Sequence, residues 1–311
     1  MSSTKAQFRP LVETCEPRVA LSADVPSNTL AVVQGEVQTP HETTKVSVPV
    51  SARNINRRHS ILIGESVRPE DGSSLIPAVR HAHGPGGEPL VVHQGIQAGL
   101  GRHTPTHAYI RTGQAGTLSS GVTGRAGTTG GFQLSATLPG DVNGDGQVTL
   151  ADQKAFKSTY LSKFRNANYL ASADANHNGQ IGQGDAKFLL RNLKPLTPKV
   201  PLSVFLTLAP EDAAKGPTPK TSGGKTHHQD VTILGRTTPG SFIFTDSGVG
   251  DFSFRGDILT TDAQGNFALK VHNKEGLTNH NFLVIDPYGQ QVTRVYPIYW
   301  LDFAAPGSRL K

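Results

Sequence analysis

Cysteine occurs once in the 311 residues, as Cys15, so no disulfide can form within the chain. Methionine and tryptophan also occur once each. A chain this poor in oxidisable sulfur tolerates an oxidising exterior without staples, which is in keeping with export. Aromatic residues make up 6% and charged residues 17% of the sequence, which argues against a large helical core. No run of roughly twenty apolar residues is present, so no membrane-spanning helix is expected. The N-terminus also lacks the apolar segment of a standard signal peptide. Lys and Arg exceed Asp and Glu by +3 before Pro139, by +2 over 140–195 and by +1 beyond, a thin spread that sums to +6. With no basic stripe interleaved with aromatics, nucleic acid is not a partner to expect. No Gly-x-Ser-x-Gly, His-Glu-x-x-His or paired active-site carboxylates are found, and the sequence does not read as an enzyme.

Glycine and proline, by contrast, are abundant at 34 and 21 residues, a composition suited to short strands joined by many turns. The most informative stretch is 141–193. It opens with Asp141-Val142-Asn143-Gly144-Asp145-Gly146-Gln147-Val148-Thr149-Leu150-Ala151-Asp152, with oxygen-bearing side chains at loop positions 1, 3, 5, 9 and 12 and glycine at 6. A hard cation needs six to eight close oxygens, and the glycine lets the loop turn back to supply them. The pattern returns 33 residues later as Asp174-Ala175-Asn176-His177-Asn178-Gly179-Gln180-Ile181-Gly182-Gln183-Gly184-Asp185. Val148 and Ile181 repeat the apolar residue at position 8. After the first loop, Ala151–Leu161 places Phe156 and Tyr160 on one helical face. After the second, Asp185–Leu193 carries Phe188, Leu189 and Leu193 at helical spacing. Pro139-Gly140 directly ahead of Asp141 leaves no room for an entering helix.

Loop, exiting helix, linker, loop, exiting helix: this resembles the type I dockerin, whose half-hands close with Asp at position 12. The resemblance implies Ca²⁺ at two sites. In the first, Asp141, Asn143 and Asp145 give side-chain oxygens, Gln147 a backbone carbonyl, Thr149 a water contact and Asp152 a bidentate carboxylate. In the second the equivalents are Asp174, Asn176, Asn178, the carbonyl of Gln180, and Asp185, while Gly182 at position 9 supplies no side chain. Three carboxylates against two make the first site the tighter one. A small module with so many carboxylates is expected to depend on the ion for its fold. In dockerins the partner is a cohesin domain, contacted at loop positions 10 and 11, here Leu150, Ala151, Gln183 and Gly184. These depart from the hydroxyl pairs of cellulosomal dockerins and the module sits mid-chain, which favours bracing of its neighbours over docking.

On either side the pattern is β. Val46, Val48 and Val50 alternate with polar positions, and Ser60–Val67, Pro89–His93 and His107–Arg111 read as short strands. Gly127–Gly140 resembles the closing strands of jelly-roll modules of the pre-peptidase C-terminal type. Residues 200–299 resemble bacterial immunoglobulin-like repeats, on the order strand, Thr237-Thr238-Pro239-Gly240, strand, Asp262-Ala263-Gln264-Gly265-Asn266-Phe267, strand, Asp286-Pro287-Tyr288-Gly289. Phe8-Arg9-Pro10-Leu11-Val12-Glu13 with Glu16-Pro17-Arg18-Val19-Ala20-Leu21-Ser22 resembles a leader of bacterial surface proteins.

The expectation is therefore a mainly β chain: leader and linker over 1–43, a jelly-roll-like sandwich over 44–139, a dockerin-like module over 140–195, an immunoglobulin-like sandwich over 196–303 and a tail over 304–311. Its fold class is two antiparallel β-sandwich domains joined by a small α calcium-binding module. The function this implies is a non-catalytic secreted or cell-surface protein that braces, assembles or adheres, with a cohesin-like domain, another surface protein or a glycan as partner. The alternative is an accessory subunit of an extracellular polysaccharide-degrading complex. Three features are read as structurally neutral. His81, His83, His93, His103 and His107 are taken as exposed loop residues rather than a zinc site. Gly223-Gly224-Lys225-Thr226 is taken as a mobile loop, since Pro219 stands where a phosphate loop needs glycine. Asp246, Asp251 and Asp257 are assigned to loop solubility.

Overall fold

The fold is that of a computed structural model, which describes residues 26–55, 60–95, 105–193, 200–214, 223–246 and 256–300. The leader segment, His103, Asp251, the 194–199 link and the tail lie outside the described residues.

The N-terminal strands are β1 (Thr29–Val37), β2 (Thr43–Val50), β3 (Ile61–Pro69), β4 (Pro77–His83), β5 (Pro89–Leu90), β6 (Val92–Gln94), β7 (Thr106–Thr112), β8 (Gly116–Gly124) and β9 (Gly130–Thr137). They form a five-stranded sheet, β1-β9-β3-β7-β6, facing a four-stranded one, β2-β8-β4-β5. All their pairings are antiparallel. Alternation puts Val46, Val48 and Val50 of β2 inside while Lys45, Ser47 and Pro49 stay outside. Residues 29–37, read as linker from the sequence, are a paired strand along β9. Their apolar positions Leu30, Ala31 and Val33 do not alternate, because both sides of β1 are partly covered. His81 and His83 lie on β4 rather than in a loop, both exposed on one side of the strand. β8 was missed because its small residues carry little β signal; Gly121 is needed there, since a Cβ would come within 2.6 Å of Thr43 Cγ2.

One polar group lies in the middle of this core. Glu65 of β3 is 1% exposed, and its Oε1 accepts a 2.6 Å hydrogen bond from Ser120 Oγ of the opposite sheet, while Oε2 has no partner. Burial raises its pKa to about 7, with the Ser120 bond opposing. The unfolded chain releases that proton near its ordinary value, so the native state holds the extra proton across the window from there to about 7. The associated stability is present at low pH and lost as pH rises through that window. With calcium saturating, so that the loop carboxylates stay ionised, wild type is expected to lose about 3 kcal/mol between pH 5 and pH 8 in denaturant titrations, and Glu65→Gln to remove most of that slope.

The C-terminal strands are β10 (Phe205–Leu208), β11 (Gly224–Thr226), β12 (Asp230–Arg236), β13 (Phe242–Thr245), β14 (Ile258–Thr260), β15 (Asn266–His272), β16 (Gly276–Ile285) and β17 (Gln291–Trp300). A three-stranded sheet, β10-β12-β15, covers a five-stranded one, β11-β17-β16-β13-β14. Ile233, Leu269, Phe282, Val284, Tyr296 and Ile298 fill the space between them. The segment read as a mobile loop contains β11, which runs parallel to β17 with Gly224 opposite Ile298. Only glycine fits at 224, because a Cβ would meet Leu208 at 2.4 Å. Asp246, assigned to loop solubility, is buried and accepts from Asn281 Nδ2 at 2.9 Å.

Between the sandwiches lie α1 (Leu150–Thr159) and α2 (Gln183–Asn192), each following a loop and neither preceded by a helix. β3 shows why the module is not separate. Its run Ile61–Glu65 is buried at every position, because Ile61 and Ile63 face the sandwich core while the module covers the other side.

Candidate metal centre

The first loop contains two turns in which a side-chain oxygen accepts the backbone N–H two residues on. Asn143 Oδ1 accepts from Asp145 N at 2.9 Å, and Asp145 Oδ1 from Gln147 N at 2.9 Å. Asp141 Oδ1 takes Gly144 N and Asp145 N, and its Oδ2 takes Gly146 N at 2.9 Å. Gly144 and Gly146 sit at φ +75° and +82°, the left-handed region that closes the loop. Asp152 then returns to the loop: Oδ1 accepts from Val142 N and Asn143 N, and Oδ2 from Thr149 N at 2.7 Å. The same carboxylate completes the capping box of α1, in which Thr149 Oγ1 accepts from Ala151 N.

The second loop repeats the construction. Asn176 Oδ1 accepts from Asn178 N, and Asn178 Oδ1 from Gln180 N. Asp174 takes Asn178 N and Gly179 N, and Asp185 takes Asn176 N and Gly182 N. His177 holds the left-handed position at φ 56°. Gly182 offers no side chain, so α2 starts without a side-chain cap. The sequence-assigned residues are therefore brought together within each loop, and Thr149 is engaged as a helix cap.

The electrostatics of both loops favour a cation. Asp141, Asp152, Asp174 and Asp185 are each 3% exposed or less, and among the described residues none pairs with a basic side chain. Burial pushes Asp141 up to about 6, with Asp152 and Asp145 adding repulsion. Burial pushes Asp185 up to about 7, with Asp174 adding to it, and raises Asp152 as well. Carboxylates taken out of water without a counter-charge are costly, and a divalent ion inverts that balance. Counting only His, Cys, Asp and Glu, no three side chains among the described residues are grouped as a metal site. The loop donors are a mixed set of carboxylates, amides and backbone carbonyls, all oxygen, which is the chemistry of calcium rather than zinc. This donor set fits the ion.

Sequence reasoning missed the residues that hold the loops from outside. Tyr109 Oη of β7 donates to Ala175 O at 2.7 Å, and its ring packs on Phe188 with centroids 4.5 Å apart. His107, also on β7 and buried rather than an exposed loop residue, stacks on His177 at 4.5 Å and 16°. Asn192 at the end of α2 extends the sheet: it accepts from Leu62 N at 2.7 Å and donates to Leu62 O at 2.9 Å and Pro139 O at 2.8 Å. On the other side, Gln153 Nε2 donates to Gly240 O at 2.6 Å, and Phe156 and Tyr160 lie against Phe242 and Phe244, each pair at 5.5 Å. The one signal available was on β7. With Ala108 and Ile110 turned to the core, His107 and Tyr109 share an opposite face that needs a cover.

Residues 139–194 match the dockerin type I domain family. Domains of this family bind Ca²⁺ and are non-catalytic modules of protein assembly, whose partners are cohesin domains. A search of curated proteins finds no match. Among solved structures, one neighbour is a Corynebacterium diphtheriae protein described as membrane anchored, at 9% identity and a TM-score of 0.21. That match covers 89% of this chain and 55% of the other, so the chain spans about half of that protein's length. No helix among the described residues is long and apolar enough to cross a membrane.

Proposed function

We propose that the dockerin-type segment is an internal, calcium-stabilised brace between two β-sandwich domains of a non-catalytic bacterial protein of the cell exterior or surface. Its ligands would be Asp141, Asn143, Asp145, Gln147 and Asp152, with Thr149 near a bound water, and Asp174, Asn176, Asn178, Gln180 and Asp185. One observation carries the reading. A single hydrophobic cluster runs from Ile63 and Leu134 in the N-terminal sandwich through Phe156, Leu189 and Leu193 in the module to Phe242, Phe244 and Ile258 in the C-terminal sandwich. A cluster shared across three units ties their positions together. Of the positions that face cohesin in dockerins, Leu150 packs into this cluster beside Gly240 and Gln183 is hydrogen-bonded to Tyr160. Ala151 and Gly184 stay exposed. Resemblances of the flanking sandwiches to jelly-roll and immunoglobulin-like modules fit the same architecture.

Calorimetric titration of the whole chain tests this reading. Two calcium ions are expected, with the first loop the tighter because it carries three carboxylates. Asp145→Ala is expected to cost more affinity than Asp174→Ala, and the reverse order would refute the ranking.

A second reading, docking in trans as an accessory subunit of a polysaccharide-degrading complex, rests on the exposed face of the module. Leu161, Phe164 and Leu170 are 38%, 65% and 42% exposed within ten residues, with Arg165 lying over the Phe164 ring at 5.8 Å. Calcium-dependent capture by a cohesin panel, lost in Phe164→Ser, would support docking; no capture leaves the brace.

A further inference from the structure

We propose that the N-terminal sandwich is part of the cation sites. Tyr109 and His107 would set the ion affinity of the second loop, and Asn54 with Asn28 that of the first. This rests on the calcium reading above and goes beyond it, because no loop residue and no residue of the dockerin match is among the four.

In both loops, the residues assigned to the ion alternate with residues at positions 2, 4 and 6 that are assigned no ligand. Those intervening positions are where the sandwich grips. In the second loop, Tyr109 Oη holds the position-2 carbonyl of Ala175 at 2.7 Å, and the His107 ring covers the position-4 ring of His177. In the first loop, Ser27 occupies the space over position 4, and a Cβ on Gly144 would come within 2.6 Å of it. The position-6 carbonyl of Gly146 accepts from Asn54 Nδ2 at 2.7 Å. Asn54 is itself oriented, its Oδ1 accepting from Ser51 N and Oγ at 2.8 and 2.7 Å. The position-2 carbonyl of Val142 accepts from Ser172 Oγ at 2.8 Å, and Ser172 O accepts from Asn28 Nδ2 at 3.2 Å.

The two loops meet the same backbone demand differently. At position 4 the first loop has Gly144 at φ +75° and the second has His177 at φ 56°. A histidine in that region carries strain that glycine does not, and it is kept where its ring stacks on a residue of another domain. The second loop also has one carboxylate fewer and no side chain at position 9. With less charge of its own to draw an ion, it depends more on being held in shape beforehand. Partners outside a ligand set that orient it commonly change metal affinity by 10–100-fold when removed. By linkage, an ion that binds more tightly to the gripped loop stabilises the grip equally, so occupancy is expected to stiffen β7.

The test uses the full chain. Tyr109→Phe keeps the ring on Phe188 and deletes only the hydroxyl. Calcium affinity of the second loop, read by calorimetry in an Asp145→Ala background that weakens the first, is expected to fall by about tenfold. Asn54→Ala is expected to weaken the first loop when read in an Asp174→Ala background, and to leave the second loop unchanged when read in the Asp145→Ala background. Amide exchange over residues 106–112 is expected to slow on adding calcium to wild type, and to slow less in Tyr109→Phe. A general loss of stability would weaken both sites together, so loss at both sites in Tyr109→Phe contradicts the proposal. Unchanged affinity in a folded Tyr109→Phe chain overturns it while leaving the calcium reading intact. Absence of calcium uptake by wild type would remove that reading and this inference together.

Discussion

Phe156→Ala is expected to destabilise the chain by about 3–5 kcal/mol and to split its thermal unfolding into separate transitions. The ring is 1% exposed and lies between the module and Phe242, itself fully buried, with centroids 5.5 Å apart at 51°. Phe156 also touches Tyr160, which packs on Phe244, so four aromatic rings form the joint to the C-terminal sandwich. Removing the central ring leaves a cavity that three neighbours cannot fill without shifting, and cavity cost adds to lost transfer energy. Scanning calorimetry checks the outcome. The transition involving the module is expected to fall by about 10 °C, with the rest of the C-terminal sandwich melting near its original temperature. A single transition within 1–2 °C of wild type would mean that the joint contributes little.

Calcium removal has the other large effect, and its size is expected to depend on pH. In the ion-free chain Asp141 is raised to about 6 and Asp185 to about 7, with Asp152 raised too, in each case first by burial. A raised carboxyl binds its proton more tightly folded than unfolded, so its stability contribution is complete below the ordinary value and is lost as pH rises through 6 to 7. Calcium replaces the protons and favours the ionised form. The gap in melting temperature between calcium and EGTA is therefore expected to widen steadily from pH 5 to pH 8. Glu65 titrates in the same range but is present in both samples, so it cancels in the difference. A gap that is constant or shrinks with rising pH would contradict the assignment of these carboxylates to the ion.

The loops were legible because their chemistry is local. Asn143, Asp145, Asn176 and Asn178 each bond a backbone group two residues away, so spacing alone exposes the turn. Strands with one buried face, such as β2, were legible for the same reason: their period of two is written in Val46, Val48 and Val50. What stayed hidden is whatever a partner supplies. β1 reads as linker until β9 lies beside it, and β11 is a Gly-Gly-Lys-Thr loop until β17 pairs with it. Leu62, Tyr109 and Asn192 have no pattern of their own, because their roles come from residues 130, 66 and 130 positions away respectively. The same holds for His107, whose sequence neighbours suggested solvent and whose actual neighbour is His177.

The central claim is that a cation-dependent module fixes one sandwich against the other. Solution X-ray scattering of the intact chain, with calcium and then with excess EGTA at pH 7.5, tests it most directly. Chelation is predicted to enlarge the radius of gyration and the maximum dimension as the joints at Asn192 and Phe156 loosen, and restored calcium is predicted to reverse both. Superimposable curves in the two conditions would contradict the account.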